Sequence, residues 1–181
     1  MKIKYLVLFI FFGFYSCNES KDELFLKKFL DKKDFSNQNG YNKVIDDDDL
    51  QILNRTDAIN EFVFNTDKKN LFGYKTKLKN NFYLISYMTK YVPLYKPTFK
   101  ILNWFDIYLC IYEKNEGVVS KIKLMSSDPI LSGFEEINGV YTITSYKIKS
   151  EYDDLKKRIY YSQDSIVSKY TIENNRFVKI K

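Results

Sequence analysis

Lys100–Glu113, KILNWFDIYLCIYE, is the stretch on which the fold turns. Phe105, Ile107, Leu109 and Ile111 share one parity, and Trp104, Asp106, Tyr108, Cys110 and Tyr112 share the other. A strand with one wet face shows apolar side chains at alternate positions only. Here both parities are largely apolar, which predicts a central strand covered on both sides.

The flanking segments supply its neighbours. Downstream, Lys114-Asn115-Glu116-Gly117 has hairpin chemistry and leads into Val118–Met125, where Val118, Ile122 and Leu124 are expected to face inward. Upstream, Phe72, Tyr74, Thr76 and Leu78 alternate with Gly73, Lys75, Lys77 and Lys79, a half-buried strand with a lysine-lined outer face. Asn80-Asn81 tolerates positive φ and turns the chain into a returning strand over Phe82–Thr89. Tyr91–Phe99 holds two of the three prolines and reads as a loop or an edge crossing.

Beyond the central strand, Ser126–Gly139 reads as a long connection to a strand over Val140–Lys149. Glu151–Arg158 reads as a charged bridge, and Ile166–Ile172 pairs through Glu173-Asn174-Asn175 with Arg176–Ile180. The chain also carries 16 Tyr and 15 Phe, flat side chains that suit a pleated surface. Together these features predict a mainly β fold: an antiparallel meander forming a sandwich or a partly open barrel, with a short N-terminal helix. That helix is expected over residues 22–33, DELFLKKFLDKK, where Leu26, Phe29 and Leu30 fall at helical spacing. It either packs on the domain or rests on a membrane. Asp46-Asp47-Asp48-Asp49 precedes Leu50–Leu53 as the acidic first turn of another helix, where carboxylates meet exposed N–H groups.

The N-terminus is MKIKYLVLFIFFGFYSC. Lys2 and Lys4 form a basic start, Tyr5–Phe12 is unbroken apolar, and Ser16 is a small residue just before Cys17. The apolar stretch of about 11 residues falls short of the roughly 20 that span a bilayer. This layout resembles the signal peptide and lipobox of bacterial lipoproteins, in the looser form found in Bacteroidota. The resemblance implies cleavage before Cys17, a covalent lipid such as palmitate on Cys17, and residence in the outer membrane of the cell envelope. The implied organisation is 1–16 signal peptide, 17–42 lipidated cysteine, tether and short helix, and 43–181 a single β-rich domain. From Asp106 onward, Phe105-Asp106-Ile107-Tyr108, Ser120-Lys121-Ile122, Tyr141-Thr142-Ile143 and Phe177-Val178-Lys179-Ile180 are also similar to strand patterns of small flavobacterial envelope lipoproteins. That similarity implies fold class and location and supplies no catalytic residue.

Composition narrows the chemistry. Without residues 1–16 the chain keeps 27 basic and 23 acidic side chains, a net +4 too modest to predict nucleic-acid binding. There is no histidine, so His-dependent triads and His-bearing zinc sites are excluded. Six glycines form no phosphate loop, dinucleotide fingerprint or nucleophile elbow. With Cys17 acylated, Cys110 has no disulfide partner and sits in an apolar strand, as an inert thiol does. Glu135-Glu136 and Asp153-Asp154 are read as solvated loop charges, with glycosidase-type acid pairs as the rival reading. Asp46 and Asp48 are weak calcium candidates, lacking EF-hand spacing.

Aromatic faces remain. Tyr83, Tyr87 and Tyr91 share one strand face, and Tyr108 and Tyr112 another; each set either packs in the core or stacks on a partner. The expectation is a non-enzymatic protein held to a membrane by its lipid, without other cofactors, whose β domain binds a protein or a glycan. An immunity-type protein that neutralises a periplasmic toxin, or a lipid carrier or hydrolase using loop carboxylates, are the alternatives.

Overall fold

The computed structural model describes residues 19–37, 40–55, 68–91, 104–126, 130–153 and 158–180. They form three short helices, α1 (Lys21–Lys27), α2 (Lys32–Asn37) and α3 (Asp47–Leu53), and nine strands. The strands are β1 (Leu30–Asp31), β2 (Lys68–Lys77), β3 (Phe82–Tyr91), β4 (Trp104–Glu113), β5 (Gly117–Ser126), β6 (Ile130–Ile137), β7 (Val140–Asp153), β8 (Arg158–Glu173) and β9 (Arg176–Ile180). The first sheet has the order β1-β2-β3-β4-β5 and the second β6-β7-β8-β9. Every pairing is antiparallel except β1 on β2, so the mainly β meander with short N-terminal helices is what forms, as two sheets rather than a closed barrel.

The central strand carries a layer on each side. Leu109, Cys110, Ile111 and Tyr112 are consecutive and all fully buried. Strand alternation sends Leu109 and Ile111 into a cluster with Ile122, Leu124, Tyr141 and Ile143, facing the second sheet. It sends Cys110 and Tyr112 into a cluster with Phe25, Leu26, Phe29, Leu50 and Leu53, facing the helices. Three layers follow: α1 with α3, the first sheet, and the second sheet, with Phe35 of α2 packed on the second-sheet side. β5 touches both edge strands of the second sheet, and the Phe177 amide donates to Ser120 Oγ at 3.0 Å. Lys32 of α2 reaches Glu136 of β6 at 2.6 Å.

Register faults correct the expected alternation along β2. Phe72 pairs with Tyr87 and Lys75 with Ile85, so one extra residue is accommodated between them. Phe72 therefore joins the helix-side cluster while Tyr74 joins the other. Lys75 is carried to the helix side, where its ammonium donates to the Leu26 and Phe29 carbonyls at 3.0 and 3.2 Å. Lys77 and Lys79 stay exposed. The bulge needs Gly73, because a Cβ there would stand 2.3 Å from Ser86 Oγ and 2.6 Å from the Ser86 carbonyl. A similar fault in β5 separates Val118, on the helix side, from Ile122 and Leu124, though all three are buried as expected.

The turns at Asn80, Asn115–Gly117 and Asn174-Asn175 form with positive φ where the sequence placed them. The connection expected over Ser126–Gly139 does not. Ile130–Ile137 is strand β6, and Asn138-Gly139 (φ 52° and 77°) closes a hairpin into β7. The charged bridge at Glu151–Arg158 is likewise strand at both ends, with Asp153 paired to Arg158. Among the described residues, the ribbon from Ile148↔Gln163 to Asp153↔Arg158 is two strands wide, since β6 pairs as far as Lys147 and β9 from Lys169.

The single helix expected over 22–33 is divided. Ser20 and Glu23 form a capping box at the start of α1, and Lys28 and Phe29 donate to carbonyls three residues back, tightening its last turn. Leu30-Asp31 then pairs in parallel with Tyr74-Lys75 before α2 begins. Phe25, Leu26 and Phe29 pack against the sheet, so this apolar stripe is spent inside the domain. In α3 the acidic run behaves as expected: Asp46 is the N-cap and accepts from the Asp49 amide at 2.9 Å.

Candidate functional site

The five tyrosines singled out in the sequence lie on one face. Register places Tyr83 beside Tyr112 and Tyr87 beside Tyr108 on the helix side of the first sheet, and Tyr91, two and four residues on from Thr89 and Tyr87, shares that parity. The two separate aromatic faces of the sequence reading are therefore one surface, and it is graded. At one end Tyr83, Tyr112 and Val118 lie under the helices. At the other, Asn70, Thr89, Asp106 and Ser126 form a polar row across four strands.

Their burial divides their roles. Tyr112 and Tyr87 are buried, so neither offers a stacking face to a partner; Tyr83, Tyr91 and Tyr108 are half-buried. The Tyr112 hydroxyl donates to the buried carboxylate of Asp22 in α1, which also takes Arg55 Nη1 at 2.7 Å. Burial disfavours the Asp22 charge, but Tyr112, the Arg55 guanidinium and the Asn115 amide outweigh it and hold this carboxyl below its ordinary range. The triad therefore fastens α1 to the β4–β5 hairpin. A second pair, Lys28 on Asp49 at 2.6 Å, ties α1 to α3. Cys110 is fully enclosed, and burial pushes its thiol up and away from reactivity.

The polar end is the best candidate site. Tyr87 and Tyr108 stack with centroids 5.1 Å apart and planes at 19°. Lys121 and Lys123 stand 4.8 and 5.5 Å from the Tyr108 centroid. Asp106 Oδ2 accepts from Lys123 Nζ at 2.9 Å and from the Tyr108 hydroxyl at 3.1 Å. Asp106 Oδ1 is buried and accepts no hydrogen bond from the described residues. The cluster offers ammonium donors, a carboxylate and a tyrosine edge. Asp106, Lys121 and Lys123 were missed in the sequence because only register brings a residue of β4 beside residues of β5.

Elsewhere a cleft of about 540 Å³ between α1 and α3 is lined by Leu24, Phe25, Ile52, Lys21, Lys28, Asp48, Asp49 and Arg55. Two of its cations are committed, Lys28 to Asp49 and Arg55 to Asp22. The weak metal candidates lie here: Asp46 is occupied as N-cap, with Lys28 at 3.5 Å, and Asp48 lines the cleft. Among the described residues no three His, Cys, Asp or Glu gather as a metal site. Glu135 and Glu136 prove to be strand residues of β6, and Asp153 pairs within β7–β8, so these acids are not in loops. Asp154, the Tyr91–Phe99 prolines, the signal segment and Cys17 lie outside the described residues. No described helix is long and apolar enough to cross a membrane.

No family model, no curated protein and no solved structure matches this chain.

Proposed function

We propose that this chain is exported, cleaved before Cys17, acylated there, and held at the outer membrane as a lipoprotein whose β domain binds a protein or glycan partner without catalysing a reaction. One observation carries the anchoring: a basic start, a short apolar run and a small residue lead directly to Cys17, and the fold begins three residues later at the Ser20 cap. Asn18–Ser20 extends at most about 10 Å, so the lipid holds the helix layer close to the bilayer. The second sheet, on the far side of the first, is then the membrane-distal layer.

The recognition half of the proposal rests on the polar end of the first sheet. Lysine ammoniums, Asp106 and the Tyr108 edge suit hydroxyl-rich or acidic groups, which both glycans and protein surfaces present. A toxin-neutralising protein is the narrower form of the same reading. Labelling with a fatty-acid probe tests the anchor. Cys17→Ala should abolish label and release the protein from membranes, and persistent membrane retention would overturn it. Crosslinking in intact envelopes tests recognition: a captured partner should be lost from Lys123→Glu, whose side chain is half exposed and outside both cores.

A further inference from the structure

The outer face of the second sheet is open and sets exposed apolar groups in register with an acid and a base. Tyr141 and Ile143 face the first sheet, so Val140, Thr142 and Thr144 of β7 face away from it. Register extends that outer face into three rows: Ile137 beside Val140, then Glu135-Thr142-Lys169-Ile180, then Gly133-Thr144-Val167. Ile137 is 56% exposed, Val167 55% and Ile180 40%, a concentration of large apolar groups that a solitary sheet face does not need.

We propose that this face is a homodimer interface, closed by a two-fold axis running along β7, with Glu135 of each copy opposite Lys169 of the other. The argument is self-complementarity. β6 and β8 flank β7 at equal distances, about 4.8 Å. Rotation about an axis along β7 lays β6 of one copy over β8 of the other. Glu135 and Lys169 stand in one row on those two strands, both exposed and neither ion-paired among the described residues. The same rotation lays Val167 over Gly133, where a Cβ would meet nothing within 4 Å. Val140 and Thr144, on the axis, meet their own counterparts. Charge pairing and a knob-and-hole contact thus appear twice from one operation, as an isologous interface requires. An unrelated partner gives no reason for acid and base to be placed symmetrically about β7. Aligned face-to-face packing is also a natural arrangement for two twisted sheets.

Sedimentation equilibrium of the full chain in density-matched detergent tests this directly. The wild-type chain should be a dimer. Glu135→Lys and Lys169→Glu each set like charges opposite one another twice and should weaken the dimer at least tenfold. The double variant restores opposite charges and should recover it, which also rules out misfolding by either substitution. A short bis-maleimide should join Thr144→Cys chains in membranes above the level of the unaltered chain. A monomeric wild type, a dimer indifferent to both reversals, a double variant no better than the singles, or Thr144→Cys that does not crosslink would each overturn the proposal.

Discussion

In β4 four consecutive side chains, Leu109 to Tyr112, are fully buried, whereas in β8 Ile166 and Val167 are consecutive and both mostly exposed. Composition accounts for part of the contrast, since β4 is polar only at Asp106 and Glu113 while Asp164-Ser165 and Ser168-Lys169 flank the pair in β8; covering layers account for the rest. The first sheet lies between two layers: α1 and α3 cover one face, and the second sheet, joined by Phe35 and Tyr41, covers the other. The second sheet has one face partly covered and one face open. The lesson is that strand chemistry decides where a sheet forms, while the availability of a third layer decides whether it serves stability or contact.

The largest expected effect sits in the doubly covered sheet. Leu109→Ala should cost about 4 kcal/mol, while Val167→Ala should cost less than about 1 kcal/mol, both read by urea unfolding. Equal costs would break the comparison. Asp22→Ala should cost about 3 kcal/mol, since it strands the buried Tyr112 hydroxyl and releases Arg55. The same carboxyl sets an acid limit. Its folded value lies below that of the unfolded chain, so its stabilisation is complete above about pH 4 and lost as pH falls through the folded value. Acid titration of Asp22→Asn should show a flatter loss of stability than the wild type.

Two glycines sharpen the contrast at smaller scale. Gly117 has φ 95°, and a Cβ there would stand 2.9 Å from the Ile52 carbonyl under α3. Gly139 has φ 77° with nothing near it. Gly117→Ala should therefore cost about 2–3 kcal/mol and Gly139→Ala about 1 kcal/mol by thermal unfolding, the first combining strain with collision and the second strain alone. Asp46→Ala should be comparable to Gly139→Ala, about 1 kcal/mol for the lost cap of α3 in the same thermal unfolding.

Much of the first sheet was legible because its signals are local. The doubled apolar pattern of Lys100–Glu113, the Asn80-Asn81 turn and the Asp46 cap each act within a few residues. β6 was missed although Asn138-Gly139 is a strong hairpin signal, because Gly133 and Glu135-Glu136 interrupt its apolar alternation. The path of Lys75 to the helix side was illegible, since a bulge reverses parity without marking the sequence beyond a glycine. Where the helix breaks at Lys28, Lys75 holds the Leu26 and Phe29 carbonyls, a contact across almost fifty residues that no local signal announces. For Tyr87 and Tyr112 the core and partner-stacking readings both stayed open in the sequence, because burial by a helix layer is a tertiary fact. The polar cluster at Asp106 escaped notice for the same reason.

The narrow end of the β7–β8 ribbon has a kinetic consequence. Among the described residues, six residue pairs there have no third strand on either flank. Two strands alone are marginal in water. Amide exchange along this hairpin should therefore advance as a front: fast near Asp153 and Arg158, slower toward Lys147, and slowest where β6 and β9 begin to share the load. The ribbon works as a built-in ruler, on which each further pair reports how far the second sheet has opened before the first has begun to move.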